Sequence, residues 1–231
     1  MALTVLQTIP AMPASWYFQT REEAGRRLAD ELLQRAAGAE ALVLAVPRGG
    51  VPVGLPIALA LGAPLDVIVP RKIPIPWEPE AGLGAVTEDG TTVLNEELLP
   101  LLGLEPEEIA RAAQAVQQEI ARRSRVYRER RGPPPVAGRL VVLVDDGLAS
   151  GYTMIAALRS VRAHEPQRLA VAVPVAPRRS LERVAAEADD VLCLIAQEGG
   201  PFAVASYYRQ FPELSDEQVL RDLRQAQQVA G

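Results

Sequence analysis

Two adjacent carboxylates, Asp145 and Asp146, end the apolar run 140–144 and open the loop Gly147-Leu148-Ala149-Ser150-Gly151, which passes through Tyr152 and Thr153 into a helical pattern. Carboxylates in that place can accept hydrogen bonds from vicinal hydroxyls. The N–H groups of a small-residue loop and of the helix start that follows can hold a phosphate dianion. Gly147 and Gly151 let the backbone come close to that phosphate, and the hydroxyls of Ser150 and Thr153 add donors. The plain structural reading of the same residues is an Asp-Asp-Gly turn with a serine N-cap. The loop has neither the Gly-Lys-Ser/Thr ending of a P-loop nor the Gly-X-Gly-X-X-Gly of a dinucleotide fold, so both rivals fail on spacing.

Two more loops hold charge. Pro47-Arg48-Gly49-Gly50 follows the apolar run 41–46, and Arg71-Lys72 follows the run 65–69. Lys72 is the only lysine in a chain that otherwise uses arginine; a lysine kept there reads either as a need for a compact point charge rather than a planar fork or as chance retention. Aromatic residues make up 4% of the chain, yet Phe202, Tyr207, Tyr208 and Phe211 crowd together. Such rings can stack on a base or pack a C-terminal segment onto a core. The single histidine, His164, precedes Glu165-Pro166 near a helix end and reads as a surface residue.

The elements that must position these residues alternate. A helix is predicted over 21–37, with Ala24, Leu28, Leu32 and Leu33 on one face and Thr20 with Glu23 as a capping box. The short apolar runs 41–46, 65–69, 139–144, 169–175 and 191–195 suit strands buried on both faces, and Cys193 falls inside the last. Helices are expected through Leu61 and over 105–131, 152–163 and 180–188, the second being long and charged. The start of the chain reads as extended, and 70–84, dense in Pro and Gly, reads as an irregular interruption. Strands alternating with helices give an α/β fold with a parallel sheet, and ligands of such sheets bind beyond the strands' carboxyl ends.

The segment 141–153, an apolar strand, two acidic residues, three variable residues and then Ser-Gly-Tyr-Thr, resembles the 5-phosphoribosyl-1-pyrophosphate (PRPP) signature of type I phosphoribosyltransferases. Ser150 stands where that family usually has threonine and keeps the hydroxyl. The resemblance runs from about Phe18 to the C-terminus, and residues 45–54 and 79–86 are similar to a bacterial subgroup whose acceptor is unassigned. It implies the type I fold as a single domain over 1–231, with a core at about 20–195, a flexible loop over 70–84 and a C-terminal hood at about 196–231.

By the same resemblance, Asp145 and Asp146 bind the ribose hydroxyls, Ala149 to Thr153 cradle the 5-phosphate, and Gly147 and Leu148 complete the PRPP-binding segment. Arg48, Gly49, Gly50 and Lys72 bind pyrophosphate, with the Arg48–Gly49 bond the candidate for a non-proline cis peptide. Arg48, Arg71, Lys72, Asp145 and Asp146 serve catalysis, and Phe202, Tyr207 and Tyr208 receive the acceptor. The implied reaction moves the phosphoribosyl group to a nitrogen acceptor, a nucleobase, with Mg2+ held through PRPP rather than by a protein cage. A homodimer is implied as well. The alternatives are a PRPP- or nucleotide-sensing regulator on this fold, and a hydrolase or phosphorylase of a phosphorylated ribose.

Composition agrees with a small anionic ligand. A chain of 231 residues, 48% apolar, can bury a sizeable core, and its net charge of −5 argues against a nucleic-acid binder with a broad basic face. One cysteine excludes an intramolecular disulfide or a cysteine-based zinc cluster. No basic leader and no membrane-length apolar run is seen, so a cytoplasmic protein without a membrane partner is expected.

Overall fold

The computed structural model describes residues 2–13, 15–36, 38–75, 77–129 and 131–229. Its strands are β1 (Ala2–Ile9), β2 (Ala41–Ala45), β3 (Leu65–Val67), β4 (Arg71–Ile75), β5 (Glu78–Val86), β6 (Thr92–Leu94), β7 (Leu140–Val144), β8 (Arg168–Pro177) and β9 (Asp190–Gln197). The helices are α1 (Arg21–Leu33), α2 (Gly50–Leu61), α3 (Leu99–Leu102), α4 (Pro106–Tyr127), α5 (Tyr152–Arg162), α6 (Arg178–Ala185) and α7 (Asp216–Val229). Six strands form a parallel sheet in the order β1-β9-β8-β7-β2-β3, as the alternating pattern predicts.

Strand alternation divides the core. Val43, Ala45, Val142, Val144 and Leu192 face Leu28 of α1, Ile57 of α2 and Leu223 of α7. Leu42, Leu44, Val141, Leu143 and Val171 face Met154 and Leu158 of α5 and Leu181 of α6. Helices thus cover both faces of the sheet, which is why its central strands read as unbroken apolar runs. Cys193 is buried in β9, as expected. No helix among the described residues is long and apolar enough to cross a membrane.

Two expectations are corrected. The extended start is an edge strand, β1, parallel to β9 in a register from Ala2 opposite Asp190 to Ile9 opposite Gln197. The segment expected as an irregular interruption instead contributes β4 and β5, which with β6 make a three-stranded antiparallel sheet. Pro74 lies where the β4–β5 register shifts, a place where a strand tolerates proline, and Ile73, Ile75 and Leu83 are buried beneath. Gly84 has no Cβ because β6 runs close beside it; one built there would lie 2.0 Å from the Val93 carbonyl oxygen.

Helix α1 begins where its cap predicts, with Glu23 N–H donating to Thr20 Oγ1 at 3.3 Å, and stops at Leu33, short of the expected end. Helix α4 is capped by Glu105 and Glu108 reciprocally and ends at Tyr127 rather than continuing to 131. Downstream of β9, where a hood is expected, α7 packs back against α2.

Candidate functional site

The carboxyl ends of β2 and β7 lie side by side, so the loops that leave them meet. Val46 N–H donates to the Val144 carbonyl at 2.8 Å, and Gly50 N–H donates to the Val46 carbonyl at 2.9 Å. A Cβ at Gly50 would lie 2.6 Å from Val144 O, and one at Gly49 would lie 2.0 Å from Asp146 Oδ2. Only glycine permits this approach. The loop contains a non-proline cis peptide, but at Pro47–Arg48, one residue before the bond expected from the sequence. Gly49 already has helical dihedrals as the N-cap of α2, so the chain reverses before it.

Asp145 and Asp146 follow β7 directly. Asp146 N–H donates to Asp145 Oδ1 at 2.8 Å, Arg21 Nε donates to Asp146 Oδ2 at 2.7 Å, and Tyr208 Oη donates to the Asp146 carbonyl oxygen at 2.6 Å. Loss of water around its carboxyl, and then the charge of Asp146, push Asp145 well above the usual carboxylate range. The loop beyond is anchored on one side and open on the other. Gly147 packs on Val204 and Val175, Leu148 N–H donates to Val175 O at 3.0 Å, and Ser180 Oγ donates to Ala149 O at 2.5 Å. Ala149 and Ser150 are exposed. Gly151, at φ +87°, caps α5, whose first N–H groups have no partner within the helix, an arrangement that suits an anion.

Arg48 joins the site from the other loop, with its guanidinium on Glu213 Oε1 at 3.1 Å. The structure therefore brings Arg48, Gly49, Gly50, Asp145 and Asp146 together. Arg71 and Lys72 stand at the start of β4 and line a cavity of about 420 Å³ with Pro74, Ala112, Val116 and Glu119. Arg71 pairs there with Glu119 at 3.7 Å, and Arg122 and Arg123 bond to the same carboxylate. Burial and the charge of Arg123 lower the Arg71 pKa, while hydrogen bonds from Arg122 and Arg123 hold Glu119 down to about 2. The basic pair thus belongs to the α4 side of the molecule.

The aromatic cluster divides as well. Tyr207 is fully buried, stacks on Tyr17 at 6.2 Å between ring centroids, and donates its hydroxyl to Gln197 Oε1. Tyr208 packs between Phe18 and Phe211, at 5.3 and 5.1 Å. Burial raises the Tyr207 pKa to about 12 and raises that of Tyr208 well above its usual value, so both keep the proton that they donate. Phe202 differs, being half-buried on the wall of another cavity of about 420 Å³ with Ala149, Ser150, Pro177 and Arg179. Gln197 shapes that wall, donating from Nε2 to Gly199 O at 2.6 Å and to Pro201 O at 3.0 Å.

Arg21, Ser180, Gln197 and Glu213 are site residues that sequence reasoning missed. Only Arg21 carried a signal, a cation in the first turn of a helix, where the dipole favours anions.

The chain belongs to the phosphoribosyl transferase domain family, whose model matches residues 17–209. It is 42% identical over 213 residues to two Mycobacterium tuberculosis proteins, "Putative phosphoribosyl transferase MT0597" of strain CDC 1551 and "Putative phosphoribosyl transferase Rv0571c" of strain H37Rv. The match covers 90% of this chain and 47% of each relative, so the chain spans about half the length of those proteins. A similar solved structure is TT1426 of Thermus thermophilus, at 40% identity and a TM-score of 0.74, covering 90% of this chain and 98% of that one.

Proposed function

We propose that this chain transfers the 5-phosphoribosyl group of PRPP to a nitrogen of a nucleobase acceptor, releasing pyrophosphate with inversion at the anomeric carbon. The observation that carries the reading is the contact between Gly49 and the Asp146 carboxylate, which joins a loop suited to a diphosphate with a segment suited to a ribose phosphate. In that reading Asp145 and Asp146 accept from the ribose hydroxyls, and the N–H groups of 149–153 hold the 5-phosphate. Arg48 and the backbone at Gly49 and Gly50 receive the pyrophosphate. The cavity beside Phe202 takes the acceptor, with its ring free to stack on a base. Arg71 and Lys72, on the β4–β5 hairpin, approach the leaving group when that hairpin folds over as a lid.

As the C1–O bond breaks, the ribose gains oxocarbenium character and the pyrophosphate gains negative charge. The chain's task is therefore electrostatic stabilisation and exclusion of water, without a protein nucleophile. Among the described residues no group of three or more His, Cys, Asp or Glu is arranged to hold a metal. Mg2+ would be held mainly through PRPP, beside Asp145 and Asp146. Bound there, the ion would neutralise charge on the departing pyrophosphate.

The test is incubation of the protein with PRPP, Mg2+ and a panel of bases while pyrophosphate is followed. Base-dependent release is expected. Release without a base would replace transfer by hydrolysis, and binding of PRPP without release would replace it by sensing.

A further inference from the structure

Arg21 opens α1 with its charge against the helix dipole, yet it is only 7% exposed, where arginine is seldom found unless paired. Three contacts converge on its guanidinium. Nε donates to Asp146 Oδ2 at 2.7 Å, one terminal nitrogen donates to the Pro212 carbonyl at 3.0 Å, and the central carbon lies 3.6 Å from the centroid of the Phe211 ring. The Asp146 carboxylate is bounded also by the bare Cα of Gly49, and its backbone carbonyl is fixed by Tyr208. Oδ2 takes the bond from Arg21, and the Asp145 carboxyl lies within hydrogen-bonding reach of the same carboxylate.

We propose that Arg21 is a positioning residue for ribose recognition, fixing the orientation in which the Asp146 carboxylate is presented to the hydroxyls of a phosphorylated ribose. The proposal rests on the reading of 145–153 as the ribose-phosphate segment. Arg21 does not touch the ligand. Its own orientation is imposed by Phe211 and Pro212, so the C-terminal segment acts on the acidic pair through it. A charge-assisted bond in a water-poor site is strong and directional enough for this task. An ion pair that merely ties α1 to the sheet would alter every property of the fold together. A positioning residue alters recognition of the sugar more than that of pyrophosphate, because the pyrophosphate loop is held by its own backbone bonds to Val144 and Val46.

The experiment compares the protein with Arg21→Gln and Arg21→Lys, titrating each with PRPP, ribose 5-phosphate and inorganic pyrophosphate by calorimetry in the presence of Mg2+. Arg21→Gln is expected to weaken PRPP and ribose 5-phosphate by about tenfold or more, the range for a lost hydrogen bond to a charged group, while pyrophosphate changes less than about twofold. Arg21→Lys keeps the charge without the fork and should recover part of the loss. Equal loss for all three ligands, or PRPP affinity unchanged in Arg21→Gln, overturns the proposal. If the glutamine variant does not fold, the lysine variant decides by the same contrast between sugar-bearing ligands and pyrophosphate. Failure of the unaltered protein to bind PRPP overturns the functional reading and this proposal with it; binding followed by unselective loss in the variants overturns the proposal alone.

Discussion

The hydroxyl of Tyr208 reaches across from the segment after β9 to the backbone carbonyl of Asp146 at 2.6 Å. The aromatic residue expected to meet an acceptor is in this way a brace for the acidic pair, buried between Phe18 and Phe211. Tyr208→Phe keeps the ring and leaves that carbonyl unsatisfied. It should lower stability by about 1 kcal/mol, read as a fall in the denaturant midpoint with the slope unchanged. A midpoint equal to that of the parent would show the bond to be incidental.

Gly49 offers a clean steric test because its φ of −62° and ψ of −33° suit any residue. Gly49→Ala therefore acts through space alone, by driving a methyl group into the Asp146 carboxylate. The expected cost is about 1–3 kcal/mol, together with loss of PRPP binding. An alanine variant that melts and binds like the parent would mean that the Asp146 side chain gives way to the methyl group at little cost.

Glu213 occupies the guanidinium that the pyrophosphate is proposed to use. Glu213 is largely exposed, and such pairs contribute little to stability. Glu213→Ala should leave the melting temperature unchanged and tighten inorganic pyrophosphate by about two- to fivefold. Weaker binding would show that Glu213 presents Arg48 to the ligand instead of competing for it.

Asp145 gives a pH dependence with a definite sign. Its pKa is raised on folding, first by loss of water and then by the charge of Asp146. A carboxyl raised in this way contributes stability below its unfolded value and loses it as pH climbs through its folded value. Asp145→Asn keeps the oxygen that accepts from Asp146 N–H, should flatten that slope, and should melt no lower than the parent at neutral pH. Melts across the acid-to-neutral range decide this. A variant that is less stable only at neutral pH would show that Asp145 is ionised and well solvated.

The parts of the fold legible in the sequence were those where one local cause dominates. Strands β2 and β7 are buried on both faces and so read as apolar runs, and the loops that follow them are short enough to be recognised by residue type. Strand β1 was not legible because it lies at a sheet edge, where three consecutive residues near its end are exposed and no clean alternation survives. Strands β4 and β5 were hidden by prolines and glycines that signal turns elsewhere but here sit at a register shift and a close strand approach. The Arg21–Asp146 and Arg48–Glu213 pairs join residues far apart in the chain, and nothing in local spacing announces either.

The parallel pairing of β1 with β9 also governs how the chain must be assembled. Val5 lies opposite Cys193, so β1 has no strand to pair with until β9, far along the chain, has been made. At about 5–20 residues per second that interval is on the order of tens of seconds, during which β1 remains an unmatched strand. Closing so distant a pair is slow and leaves open edges prone to association with other chains. Completion of this sheet edge is therefore a late step in forming the fold, and it ends the exposure of the β9 edge.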